Sequence, residues 1–549
     1  MAGKNFIFTP VLMSGYNLES PSFDKFMCYN SGVKYYQQLI PYSFIRYVMG
    51  PKKEQSLYVV FSRELYKGLS IGIDLGIVYS PGAYKNSKSN DNKIFITGQY
   101  YTQNKRYGLI TNYLRDRILA GENGGITYDS IFEQNLQADP SIVPVNLEND
   151  QNQIIHSGFY VEQYFNLLKP RSRMDTNRRK VDAGNISYAF LYQRNQKEYT
   201  SDNPLDDFYK PYAPPIDSIT TFDSLYQLRI RNTIKWSNAG YSDAALSDVF
   251  NLEFGVHYDY LEQTLPYDSV KSILNQVIPF GSLSLKLFRS SYLTATAQFV
   301  MGDYNGGDLA IKLALKQYLG TELKNFGRLN VSLDISSQMP SWFYSEYQSN
   351  RFRWNNDLQK EGIMHLKGSY FYKFFETGVN FTTYSNYTYL DDSVRPQQLD
   401  ATATILQVFV QGNVPLKKFG IDTRLVYQVS SNSTIRIPLF VGLANIYFRS
   451  PVFKRAATVQ IGFQFHYFTN YYADAYMPEL RAFYQQNEKI IGNYIYADVY
   501  LTLEVKRAQL FIKYSHLNSY FGNYTYYLAP HYPARDARFY FGATWRFHD

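Results

Sequence analysis

The sequence predicts an all-β chain closed into a large transmembrane antiparallel β-barrel of about 22 strands (range roughly 18–26), with short periplasmic turns and long extracellular loops. Three observations carry this expectation. Period-2 segments recur through most of the 549 residues, with alternate side chains on opposite faces. Connections alternate between short and long, as barrels of the bacterial outer membrane require. The chain is 18% aromatic, with 54 Tyr and 39 Phe. Soluble cores rarely need so many rings, whereas barrels place them in girdles at both membrane interfaces. A helical membrane protein is excluded: hydrophobic residues are 45% of the chain, mean hydropathy is -0.35, and no run approaches the eighteen apolar residues of a spanning helix.

The chain divides into an N-terminal segment, 1–41, and a barrel, 42–549. Met1-Ala2-Gly3-Lys4 lacks the apolar core and small-residue cleavage site of a secretory signal. An outer-membrane destination therefore requires a leader before Met1 or a numbering that starts in the mature chain. Residues 4–16 read as extended, which makes them barrel strand one, an element inside the barrel, or one at its base.

Within the barrel, 226–236, 252–262 and 283–288 alternate weakly. At 293–299, Leu293, Ala295, Ala297 and Phe299 oppose Thr294, Thr296 and Gln298. At 309–316, Leu309, Ile311, Leu313 and Leu315 oppose Ala310, Lys312, Ala314 and Lys316, and 329–336 repeats the pattern. Residues 401–411 change phase, which suggests a bulge or a misplaced register. After weaker strands at 421–430 and 459–467 comes the cleanest one: Ile495, Ala497, Val499, Leu501, Leu503 and Val505 face away from Tyr494, Tyr496, Asp498, Tyr500, Thr502 and Glu504. The last strand, 538–547, puts Phe539, Phe541, Ala543, Trp545 and Phe547 on one face. Its outer edge needs a partner, and in a closed barrel that partner is the first strand.

The short connections are basic. They include Asn104-Lys105-Arg106, Phe288-Arg289-Ser290-Ser291, Tyr372-Lys373-Phe374, Leu416-Lys417-Lys418-Phe419-Gly420 and Lys506-Arg507-Ala508. The long ones, at about 119–152, 196–221, 339–361 and 519–536, are rich in Asn, Asp, Pro, Gly and Tyr. One longer basic connection, 169–183, falls with the periplasmic set.

Two motifs, Tyr16-Asn17-Leu18-Glu19-Ser20-Pro21 and Ala120-Gly121-Glu122-Asn123-Gly124-Gly125-Ile126, resemble segments of the putative porin family of Bacteroidota outer membranes. The first departs from the family's more usual Gly at the position of Glu19. The resemblance runs over most of the chain. It implies a signal-bearing outer-membrane barrel and supplies no catalytic residues. In physical terms, Asn123-Gly124-Gly125 is a turn using positive φ at the start of an external loop.

The remaining chemistry is mostly exclusion. Cys28 is the only cysteine, so the chain forms no internal disulfide and no Cys-based metal site. A net charge of +8, with Lys+Arg 55 against Asp+Glu 47, comes without a basic run or recognition helix, which argues against nucleic acid. No two of the seven histidines stand at ligand spacing, so no metal or other cofactor is expected. Ser515 and His516 are adjacent, yet on a strand they point to opposite faces, and no nucleophile elbow is present; the chain does not read as an enzyme.

What remains is the wall. Arg229, Arg231 and Lys235 share one strand face; Lys286, Lys312, Lys316, Arg424, Lys513 and Arg546 join them, against Asp334, Asp422, Asp498 and Glu504. These are the pore-lining candidates, and nine basic against four acidic residues imply a weak anion preference in an open pore. Aromatic clusters at Tyr471, Tyr472, Tyr476, Phe483, Tyr484 and at Tyr520, Phe521, Tyr524, Tyr526, Tyr527, Tyr532 read as girdle ahead of sugar platforms. The expected function is passive diffusion of small hydrophilic solutes. The rival is a plugged structural or accessory barrel of an assembly, secretion or uptake complex, filled by 1–41 or the 119–152 loop. Expected partners are outer-membrane lipid and lipopolysaccharide, the solutes themselves, and other outer-membrane proteins or lipoproteins.

Overall fold

In a computed structural model the final strand pairs with the first, Tyr42↔His548 through Met49↔Phe541, and so closes the sheet on itself. The structure describes residues 3–12, 15–16, 22–23, 25–36, 40–168, 183–209, 212–238, 249–267, 271–288, 290–320, 325–522 and 524–548. The barrel has 22 antiparallel strands. They are β1 (Tyr42–Met49), β2 (Gln55–Tyr66), β3 (Leu69–Ser80), β4 (Ser89–Tyr101), β5 (Tyr107–Glu122), β6 (Asp150–Asn166), β7 (Asn185–Ser201) and β8 (Thr221–Ser237). Next come β9 (Phe250–Thr264), β10 (Lys271–Leu287), β11 (Ser291–Phe299), β12 (Leu309–Gly320), β13 (Asn325–Gln338), β14 (Glu361–Tyr372), β15 (Phe375–Ser385) and β16 (Ala403–Leu416). The sheet ends with β17 (Phe419–Ser430), β18 (Phe440–Val452), β19 (Ala457–Phe468), β20 (Tyr494–Val505), β21 (Ala508–Ser515) and β22 (Arg538–His548). Met301–Gly302 extends β11 along β10 beyond Val300.

The outer face is the apolar one. Leu313 is 40% exposed, Leu501 39% and Trp545 53%, as side chains that meet lipid must be. Arg at Leu313 or Leu501 should cost roughly 2–4 kcal/mol, while Arg at the inward-facing Lys312 should be nearly neutral. Folding titrations into liposomes check this, and equal costs on both faces would refute the register.

Among the described residues, the long connections lie at one rim. These loops are 123–149, 202–220, 339–360, 386–402, 469–493 and 516–537; the opposite rim carries two-residue turns such as 373–374, 417–418 and 506–507. By the barrel rule the long loops are extracellular. At the short rim Phe288, Phe326, Phe419 and Phe453 are more than half exposed, and part of the aromatic excess sits there as a girdle. The basic connection 169–182, Arg289 and the motif residues 17–21 lie outside the described residues.

The phase change at 401–411 is not a bulge. β16 keeps unbroken register with both neighbours. Ala403 and Ile405 face inward and are fully buried, with Ile435 of the next long-rim loop and with Phe8 of the N-terminal segment packed against them. The inner face is apolar there because something inside the barrel covers it.

Candidate functional site

That something is the N-terminal segment. Strands run along the wall and the segment runs across them, so its backbone has no strand to pair with, yet its buried peptide groups still need partners. Glutamines of the inner wall supply them. Gln428 Nε2 donates to Phe6 O at 2.6 Å and its Oε1 accepts from Phe8 N at 3.1 Å. Gln407 Nε2 donates to Phe8 O at 2.9 Å, Gln338 Nε2 to Val11 O at 3.0 Å, and Gln99 Nε2 to Tyr36 O at 3.1 Å. Gln276 Oε1 accepts from Tyr16 N at 3.2 Å. The segment thus forms a belt that passes β17, β16, β13 and β10, then reaches Asp116 through Cys28 N at 2.9 Å and Asp74 through the Tyr36 hydroxyl at 3.2 Å. The described residues between 4 and 16 form no barrel strand; they belong to this belt. Burial pushes the Cys28 thiol up to about 11, which leaves it a small inert hydrophobe at neutral pH.

Above the belt the long loops fold into a cap with its own core. Leu147, Tyr209, Phe343, Leu390 and Met477 come from five different loops and are buried together. Ile126, Phe132, Tyr526 and Tyr527 form a second cluster, and Phe23 of the belt joins Ile118, Ile154 and Tyr476 in a third. Most of the aromatic residues expected as girdle are therefore cap core: Tyr526 is 0% exposed, Tyr527 2% and Tyr476 6%, whereas Tyr472, Tyr520 and Phe521 stay exposed. The Asn123-Gly124-Gly125 turn does have positive φ, 64° and 84° at the two glycines. It also admits close approach, since a Cβ on Gly125 would lie 2.8 Å from His531 O, where Ile126 N donates at 2.9 Å.

An ion pair is sealed inside the cap. Arg351 Nη1 meets Glu479 Oε2 at 2.6 Å, with the side chains 1% and 0% exposed. Ser349 Oγ and Arg351 N donate to Glu479 Oε1 at 2.6 and 3.1 Å, and Arg351 Nε donates to Pro204 O at 3.1 Å. The guanidinium lies 3.8 Å over the Tyr209 ring. Three loops meet at this pair, and its remaining valences are satisfied, which is what buried charges require. Nearer the surface, Lys489 Nζ and His531 Nδ1 contact Asp129 Oδ2 at 2.6 and 3.1 Å. Burial alone would raise the Asp129 carboxyl, but the hydrogen bonds from His531 and Lys489 outweigh it and hold it below the usual range. A depressed carboxylate stabilises above its unfolded pKa, near 4, and that contribution is lost as pH falls through the lower folded value. Asp129→Asn should therefore loosen the cap edge by ~1 kcal/mol at neutral pH, and the gap to the wild type should close below about pH 4. Hydrogen exchange over residues 126–136 in both proteins checks this; identical protection at pH 7 would count against it.

Below the belt, in the half of the barrel nearer the short turns, a chamber of about 680 Å³ remains. Tyr16, Tyr29 and Tyr35 of the belt roof it, and Arg229, Arg231 and Lys235 of β8 line it with His257 of β9. Asp259, 0% exposed, holds both arginines: its Oδ2 meets Arg229 Nη2 at 2.6 Å, and its Oδ1 meets Arg231 Nε at 2.5 Å. Lys235 Nζ stands 3.3 Å from Glu162 and 3.7 Å from Glu253. Three acids thus contact the densest basic row. Asp259 was legible in the sequence, because it shares the strand face of His257 and stands opposite Arg231.

The other wall charges are dispersed. Lys286 and Lys316 lie over the Tyr292 and Tyr318 rings at 5.6 and 5.1 Å. Lys312 is in register with Asp334, which meets Lys367 at 3.6 Å. Asp422 and Arg424 line a second recess of about 450 Å³. Asp498 pairs with Lys513 at 2.7 Å and Glu504 with Arg449 at 2.9 Å. Arg546 stands in register with Phe44 of β1. Among the described residues, no group of three or more His, Cys, Asp or Glu side chains is arranged to hold a metal ion.

A family model described as "Putative porin" matches residues 2–549. The chain belongs to that family. No curated protein matches it. Solved structures do match in fold. A point mutant of the ferric enterobactin receptor PfeA of Pseudomonas aeruginosa aligns with a TM-score of 0.62 at 12% identity, over 93% of this chain and 81% of that one. The ferric-catecholate import receptor Fiu of E. coli gives 0.61 at 11% identity, over 93% and 82%. The siderophore receptor PirA of Acinetobacter baumannii gives 0.60 at 10%, over 93% and 81%. At such identity the likeness is one of fold. Strand number, family and fold together place this family member in the bacterial outer membrane.

Proposed function

We propose that the protein is a closed outer-membrane barrel that passes small hydrophilic solutes only when its cap and belt move, and not a constitutively open diffusion pore. The observation that carries this reading is the double closure: a belt held by wall glutamines, beneath a loop cap with a sealed Arg351–Glu479 pair. Barrels of 22 strands are wide enough to need a plug if they are to be shut at all. The fold neighbours named as receptors and importers support an uptake role over a purely structural one. The test is the current of the intact protein in a planar bilayer under a salt gradient. Quiet traces with rare, brief openings are expected. A steady ohmic current from a folded barrel would overturn the closed reading in favour of passive diffusion.

A further inference from the structure

We infer that an open recess in the cap is a binding site for a short acidic sugar, its carboxylate held by Arg353 and Arg395 and its ring laid against Trp354, Tyr212 and two prolines. The inference deepens the uptake reading by naming a solute class, and rests on it only for what binding would serve.

The recess, about 490 Å³, lies between three of the long loops, 202–220, 339–360 and 386–402. That volume falls within the range of small-molecule sites. It opens to solvent where Ala213, Pro214, Arg353 and Arg395 are exposed. Among the described residues that line it there are three arginines and no acid. Arg351, buried at the floor, is matched by Glu479 and adds no net charge. Arg353 and Arg395 differ: among the described residues neither guanidinium has an ion pair, a hydrogen bond or a ring contact. Asp391 and Asp392 share a turn with Arg395, but the turn itself engages them. Asp391 Oδ1 accepts from Ser393 N at 3.0 Å and from Arg395 N at 2.8 Å, and its Oδ2 accepts from Gln397 Nε2 at 3.3 Å. Asp392 Oδ1 accepts from Ser393 Oγ at 3.3 Å. A guanidinium fork without a partner is matched by a planar carboxylate, which it can grip through two parallel hydrogen bonds.

Backbone strain marks the same place. Val394, which lines the recess, has a φ of 59°, a left-handed conformation that a β-branched residue rarely adopts. Its side chain is fully buried in the cap core. The main chain is clamped on either side, with Val394 N donating to Asp391 O at 3.0 Å and Asp391 N to Arg395 O at 2.9 Å. Strain of this kind gathers at ligand sites, and here it fixes the backbone of a recess-lining arginine. The rest of the wall suits a sugar better than a bare anion. Trp354 is held in place, since its Nε1 donates to Phe343 O at 2.7 Å and its ring stacks on Tyr347 at 5.2 Å. Tyr212 leans on Phe352 with ring centroids 5.1 Å apart. Pro214 and Pro215 add rigid surface with no backbone N–H to satisfy. Such faces pack against the apolar side of a sugar ring, whereas phosphate or sulfate gains nothing from them. A purely apolar ligand, in turn, leaves both guanidiniums without a partner.

Isothermal titration of the full chain in detergent free of lipopolysaccharide, with digalacturonate, its dimethyl ester and sodium sulfate at matched ionic strength, tests the assignment. Digalacturonate should bind saturably. The ester keeps both rings and loses both charges, so it should bind roughly tenfold or more weakly, as loss of a charge-assisted hydrogen bond implies. Arg353→Gln with Arg395→Gln should bring the free acid down to the affinity of the ester. Both side chains are exposed, so this variant should keep its heat-modifiable barrel and its folded cap. Equal affinity for acid and ester, sulfate binding as tightly as digalacturonate, or unchanged affinity in the double variant would each overturn the proposal. So would saturation by added lipopolysaccharide and not by digalacturonate, because the acidic sugars of the membrane are the other source of this chemistry. Bilayer currents judge the closed-barrel reading separately: a conducting barrel that still prefers the free acid keeps this site and loses that reading.

Discussion

Glu479→Ala should open the cap while leaving the barrel standing. The substitution leaves the Arg351 guanidinium, 1% exposed, without the one carboxylate that contacts it. Breaking one side of a buried pair typically costs about 3–5 kcal/mol, and each 1.4 kcal/mol is about a factor of ten. The open population of the cap should therefore rise by roughly two to four orders of magnitude. The barrel does not share the loss, since its strands are held by a continuous ladder from β1 to β22. Limited trypsinolysis reads the effect directly, because Arg351 and Arg353 become cleavable once the loops separate. The heat-modifiable barrel band should persist. Arg351→Met combined with Glu479→Leu should restore resistance, as apolar replacements of a buried pair often do. An unchanged cleavage rate in Glu479→Ala would mean that the pair does not hold the cap.

How much of this was legible in the sequence depends on what covers each inner face. β20 alternates cleanly because its inner face keeps the polar groups of a wet wall, Asp498 paired with Lys513 among them. β16 loses its polar phase because Ile405 faces Ile435 and Phe8 instead of water. The strands were thus readable wherever the wall is wet and misleading wherever the belt or cap presses on it. The cap itself was hidden for a different reason. Its core joins residues hundreds of positions apart, such as Leu147 with Met477, and no local period marks them. Tyr526 and Tyr527 look the same in the sequence whether they face headgroups or each other. The charge row on β8 was visible, and its counter-ions were too. Asp259 and Glu253 lie on the partner strand, while Glu162 lies two strands away, a distance that only the closed register resolves.

Removing the belt, residues 3–36, should convert a quiet barrel into a conducting one. The belt crosses the lumen along the inner wall and also props the cap from below: Phe6 stacks on Phe468 at 4.3 Å, Lys4 pairs with Asp474 of the 469–493 loop, and Phe23 packs beneath Tyr476. Its loss therefore empties the lumen and withdraws support from the cap together. Mean current per inserted protein should rise roughly tenfold or more, since an unplugged barrel of this strand number encloses a wide aqueous path. The strand ladder involves no belt residue, so insertion and heat-modifiability should survive. Gln407→Leu with Gln428→Leu gives a milder version in which the belt is present but has lost donors to Phe6 O and Phe8 O. Each belt carbonyl left buried without a donor costs about 1–3 kcal/mol, so this variant should flicker open where the wild type rests. Adding the excised segment back as a free peptide should quiet the truncated barrel. If the truncated barrel folds and stays silent, the cap alone closes the pore and the belt has no part in gating.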